Sequence, residues 1–219
     1  MNELLIVSNF AMLPSIVYTG YRMYKDKRMY LLELVTFFAL MVVSATYHIY
    51  DIYQLDRTVF WNLYRWDRIL AFQAVSSCMI HILDVRPFPK IVLWSLDLVV
   101  VTWTQYTYSP YGDNFLGLGV TTAWNFLLIV GKYKLITRKK WGEFFEHHDL
   151  IDFLFTIFYI ATGITFFVLS NTYPVEYWWM HSLWHVLIFF ATWTALDMKE
   201  PGVSMFCIRR KKWNPIAVV

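Results

Sequence analysis

The stretch LIDFLFTIFYIATGITFFVL, residues 150–169, decides the fold class. Its single charge is Asp152, near the start. A membrane-crossing helix needs roughly 20 mainly apolar residues, and this run supplies them. Six further runs of the same kind lie around it. The first extends from Leu4 to Tyr21, the second from Met29 to Tyr50, and the third from near Asp67 to Leu83. The fourth covers Ile91 to Tyr106, the fifth Asn114 to Val130, and the seventh Tyr177 to Leu196. Seven spans and short loops use almost all of the 219 residues. The expectation is a single all-α domain over 1–219, a seven-transmembrane helix bundle ending in a short basic tail over 200–219.

Composition agrees. Hydrophobic residues make up 58% of the chain and charged residues only 16%, against about 25% charged in soluble domains. Pro87, Pro89, Pro110, Pro174 and Pro201 are expected between spans, while Pro14 is placed to kink the first one.

Lys and Arg orient the bundle. Sixteen of the 19 fall on one side of the predicted topology: in the first, third and fifth loops and in the tail. The other side holds only Arg57, Arg65 and Arg68. This predicts an N-terminus outside and a C-terminus in the cytosol. Tyr106, Tyr108, Tyr111, Tyr173, Tyr177, Trp178 and Trp179 gather at the predicted outer boundary, as an interfacial belt would. No basic segment precedes the first span, which reads as an uncleaved anchor. The net charge of +3 is spread over cytosolic loops and tail, where anionic lipid accounts for it, so no nucleic-acid partner is expected. Cys78 lies within a span and Cys207 in the tail, so no disulfide is expected. Cys207, beside the basic run Arg209 to Lys212, is a lipidation candidate.

Ionisable groups inside spans are costly and mark function. The seventh span opens with His181-Ser-Leu-Trp-His185, and the second ends with Ser44-Ala-Thr-Tyr-His48. Residues at i and i+4 share one helix face. The third span opens with Arg65-Trp-Asp67. The topology, drawn from Lys and Arg alone, brings His48, Asp67, His181 and His185 to one depth below the outer surface. Three histidines with an open fourth position are a zinc arrangement. Zn2+ there would lower the pKa of a bound water toward about 7. Asp67 would orient that water, accept its proton or hold a histidine tautomer; helix capping is its structural alternative. Ser44 would donate to a carbonyl oxygen or the water, or else to the backbone carbonyl four residues back. His81, His147 and His148 are expected away from this cluster. Glu33 and Asp152 are expected close to the inner surface, in reach of water. Asp97 should face the bundle and pair with Gln73 or Asn125.

These motifs resemble the CREST superfamily of seven-helix membrane proteins, which includes alkaline ceramidases and the progestin and adiponectin receptors. Tyr47-His48-Ile-Tyr-Asp51, Arg65-Trp-Asp67-Arg-Ile-Leu70 and His181-Ser-Leu-Trp-His185 are most similar to its TMEM8 and myomaker branch. Tyr50 stands where that branch usually has a cysteine. The resemblance implies a multi-pass plasma-membrane protein, homodimeric, in contact with membrane lipids and a fusion-partner protein, promoting cell–cell (myoblast) fusion. The ceramidases imply the alternative, a zinc-dependent lipid amidase or esterase with Asp67 and Ser44 as catalytic residues. In both, His48, His181 and His185 hold the zinc.

Overall fold

A computed structural model describes residues 3–26, 30–83, 85–108, 116–132, 149–173 and 175–198. Among these residues there are seven helical segments and no strand. The basic tail with Cys207, the pair His147 and His148, and most of the loop cations lie outside the described residues.

The first segment is α1 (Glu3–Ser8), a tight 3-10 turn (Asn9–Met12) and α2 (Leu13–Asp26). The interruption follows from Pro14, which has no N–H to offer the carbonyl of Phe10. Leu13 donates to that carbonyl instead, three residues back rather than four. Helix α3 (Leu31–Ile52) closes with Gln54 in the left-handed region, at φ 50°. Gln54 N–H donates to the Asp51 carbonyl and Leu55 N–H to that of Tyr50, so two terminal carbonyls are satisfied.

Helix α4 (Arg57–Leu83) starts well before the expected boundary at Asp67. Asp56 caps it: its Oδ1 accepts from the N–H groups of Thr58 (2.7 Å) and Val59 (3.1 Å). Asp67 is therefore an interior residue of α4 and not its cap. Helix α5 (Pro87–Tyr108) also starts early, with Pro87 and Pro89 in its first turn and not in a loop. Proline is tolerated there because the first N–H groups have no helical acceptor. Helix α6 (Leu116–Val130) precedes α7 (Leu150–Thr172), which is capped by Asp149, and α8 (Tyr177–Asp197).

Three of these segments are long and apolar enough to cross a membrane: Glu3–Tyr24, α3 and Leu150–Ser170 of α7. Helix α6 is apolar but shorter. Helices α4 and α8 carry their polarity inward. The former buries Arg68, Gln73, Ser76, Ser77 and His81, and the latter buries His181, His185, Thr192, Thr194 and Asp197. Outer faces are apolar and exposed, as with Val35, Phe38 and Val42 on α3 and Leu154, Ile157 and Phe158 on α7. That inversion suits a hydrocarbon solvent, in which interior polar groups find partners only inside the bundle.

Helix α4 packs against α3, α5, α6 and α8, while α8 packs against α1, α2, α4 and α7. Between them lies a core that includes Met12, Phe37, Leu40, Met41, Ala74, Phe189 and Leu196. Gly163 lets α7 approach α8, since a Cβ there would lie 3.2 Å from Ile188 Cδ1. Asp97 pairs with Asn125, whose Nδ2 donates at 2.6 Å, while Gln73 donates to the Trp94 carbonyl.

Two expectations fail. Glu33 and Asp152 are each 1% exposed and do not reach water. Glu33 is enclosed because α3, α4 and α5 converge on it. It forms ion pairs with Lys90 and, at 3.3 Å, with His81. Asp152 is covered where the start of α7 packs on α8: Thr156, one turn on, shares a 2.7 Å hydrogen bond with Thr194 of α8. Breaking the Glu33 cluster strands a buried cation, which costs about 3–5 kcal/mol, whereas replacing both partners of a buried pair by apolar residues costs far less. Glu33→Ala should therefore lower the unfolding free energy in detergent by that amount, and Glu33→Leu with Lys90→Met should recover most of it.

Candidate metal centre

His48 sits near the end of α3, one turn after Ser44, and points inward because α3 turns its buried face toward α4 and α8. His181 and His185 are one turn apart on the buried face of α8. The three imidazoles converge. Ring centroids are 5.6 Å apart for His48–His181, 5.2 Å for His48–His185 and 4.7 Å for His181–His185. One ligand atom from each lies within 4.8 Å of the others, so the cluster could hold a metal ion.

Two observations test whether these residues suit a metal. His48 is completely buried, and among the described residues neither of its ring nitrogens has a hydrogen-bond partner. Leaving such a group unmatched costs on the order of 1–3 kcal/mol, which a metal bond would relieve. The second concerns His185. Its Nδ1 lies 3.0 Å from Ser8 Oγ, and that hydroxyl donates its proton to the Leu5 carbonyl at 2.9 Å. Ser8 must then accept from His185 Nδ1–H. The neutral tautomer so fixed has its lone pair on Nε2, the form in which imidazole binds a metal. The donor set fits.

Ser44 on α3 and Asp67 on α4 are close neighbours. Asp67 and His181 both line a cavity of about 100 Å³, with Arg68 and the aromatic rings of Tyr47, Tyr64 and Tyr177. Several water molecules fit in that space. Tyr177 stacks on His181 with centroids 4.8 Å apart and closes one side. All five expected site residues thus meet in one region of the bundle. His81 lies elsewhere, with Glu33 and Lys90.

Ser8 escaped the sequence reading. A serine in an apolar run is a cue to an inward-facing position, but nothing in the local pattern couples α1 to a histidine 177 positions away.

An all-helical bundle with apolar outer faces and a buried three-histidine cluster defines the class: a helical protein with the character of a multi-pass membrane protein and the ligands for a metal ion. Residues 3–186 match the model of the family described as Protein of unknown function (DUF3522), and the chain belongs to that family. The match takes in Ser8, Ser44, His48, Asp67, His181 and His185. No curated protein matches the chain.

The Ser8 contact yields a prediction. Hydrogen-bond partners that orient ligand histidines are worth about 10–100-fold in metal affinity. Ser8→Ala should weaken metal binding by that factor in a chelator competition titration, and Ser8→Thr should restore most of it.

Proposed function

We propose that this protein is a multi-pass plasma-membrane protein, similar to myomaker, that promotes cell–cell fusion, with a Zn2+ ion held by His48, His181 and His185. The observation that carries the metal half is the buried His48 ring beside His181 and His185, whose two nitrogens lack hydrogen-bond partners among the described residues. Three neutral imidazoles favour zinc over the hard cations, which take oxygen ligands. The Lys/Arg bias supports a seven-span topology with the N-terminus outside, the C-terminus cytosolic and the metal near the extracellular leaflet. The fusion half rests on the resemblance of the three motifs to the TMEM8 and myomaker branch. A homodimer and a fusion-partner protein belong to the same reading.

In this reading zinc joins α3 to α8, and through Ser8 to α1, on the outer side of the bundle. Removing it loosens the face that meets the opposing cell. The hydrolase reading is favoured by a different observation, the cavity shared by Asp67 and His181 with Ser44 behind the carboxylate. Zinc bound there would supply a Lewis acid. Asp67 would take up a proton at its carboxylate, Ser44 would hold that carboxylate in place, and the aromatic walls would restrict water.

Cell mixing separates the two. Expression in non-fusing cells labelled with two dyes should give mixed cytoplasm, and His48→Ala should abolish it. If Asp67→Asn leaves mixing intact, fusion proceeds without hydrolysis. Loss of mixing in Asp67→Asn, together with turnover of a lipid by the unmodified protein only, would establish the hydrolase. Surface-expressed protein that never mixes cytoplasm would refute the fusion role.

A further inference from the structure

Helices α4, α5 and α6 pack against one another, and none of the three clustered histidines belongs to them. Their shared interior is polar. Asp97 lies in the middle of α5. It is 2% exposed, and Ser76 of α4 and Asn125 of α6 are fully buried. Asn125 Nδ2 donates to Asp97 Oδ2 at 2.6 Å, and Ser76 is a close neighbour of the same carboxylate. Gly117 lets α6 come close to α5, since a Cβ there would collide with Thr104. Each of three helices thus brings one oxygen-bearing side chain to one place.

Two observations make this more than a hydrogen-bonded pair. The first is charge. The side chains acting on the Asp97 carboxylate are Asn125 and Ser76, both neutral, and among the described residues no Lys, Arg or His forms an ion pair with it. A lone carboxylate in the middle of an apolar bundle is costly. The second is the set of oxygens left over. Among the described residues, Ser76 Oγ and Asn125 Oδ1 have no hydrogen-bond partner, although both side chains are buried. The same holds for Gln73 Oε1, one turn before Ser76, while Gln73 Nε2 donates to the Trp94 carbonyl at 3.0 Å. A proton on Asp97 would cancel the charge but could be donated to only one of these oxygens. A cation cancels the charge and draws in several oxygens at once. Asn125 suits either state, because half a turn of its amide exchanges Nδ2 for Oδ1 beside the carboxylate. The donor set also fixes the ion's charge: one carboxylate among neutral oxygens balances one positive charge.

We propose that Asp97, Ser76 and Asn125 form a binding site for a monovalent cation, Na+, with the Asp97 carboxylate as its charge partner and Ser76 Oγ and Asn125 Oδ1 as neutral ligands. Oxygen donors select hard cations. Close packing of α6 on α5 at Gly117 favours the smaller Na+ over K+. Bound there, the ion ties together α4, α5 and α6, the helices that the three histidines do not join. The site depends neither on zinc nor on the fusion reading.

The test melts the full chain, purified in detergent, in sodium, potassium and choline chloride at equal ionic strength, with zinc content measured in each sample. Sodium should raise Tm by an amount that grows with the logarithm of its concentration, and choline should not. Ser76→Ala should weaken the apparent sodium affinity drawn from that dependence by about tenfold, the scale of one contact to a charged group. Asp97→Asn should abolish the dependence, with Tm in choline no lower than that of the unmodified protein, because the lone charge is gone. Zinc content should be the same throughout. Equal melting of the unmodified protein in all three salts would overturn the proposal and leave Asp97 as a buried neutral acid. Potassium matching sodium would overturn the assignment to the smaller ion. Sodium dependence that persists in Asp97→Asn would place the ion elsewhere and overturn the site. If Asp97→Asn does not fold, the salt series on the unmodified protein and the Ser76→Ala titration still decide.

Discussion

The imidazole of His48 is the constraint on which the rest of this structure turns. It is fully buried, and among the described residues both nitrogens lack hydrogen-bond partners. Burying a polar ring in this way is unfavourable unless something binds it. Two more imidazoles face it from the adjoining turn of α8. The imidazoles bridge α3 and α8 through their side chains, and α1 enters the same arrangement by bringing Ser8 to His185. The early start of α4 makes Asp67 an interior residue of that helix, close to Ser44. A metal ion is the ligand that three neutral imidazoles have in common.

Buried ionisable groups stand toward both ends of α3. On α3, Glu33 stands at one end and His48 at the other, with Phe37, Leu40 and Met41 between them. Those three side chains belong to the apolar core shared with α4 and α8. On α4, His81 meets Glu33 near the helix end and Asp67 lies near Ser44, with Gln73, Ser76 and Ser77 buried between them. The Glu33 cluster ties α3, α4 and α5 together through ion pairs, while the His48 cluster gathers three ligands that could hold a metal ion.

Much of the fold was legible because membrane helices advertise themselves by length and hydropathy. The spans ending at Val130 and starting at Leu150 and Tyr177 coincide with helix boundaries in α6, α7 and α8. The third span was misjudged because Arg57 to Trp66 is too polar to read as membrane. The cue was Asp56, an N-cap residue directly before it. Prolines 87 and 89 misled for a similar reason: proline breaks a helix in its interior but starts one comfortably. Charges misled too, since Glu33 and Asp152 near span ends imply water, whereas tertiary packing encloses both. At the site, the i, i+4 spacings and a shared depth sufficed to assemble the histidines. Ser8 was not legible, because its role comes from a contact between helices far apart in sequence.

The most direct measurement is the metal content of the purified chain. Elemental analysis of protein prepared in detergent without added metal should find about one zinc per chain, lost in His48→Ala. Folded, monodisperse protein that contains no zinc and takes up none on addition would contradict the account, because the buried His48 ring would then need another partner.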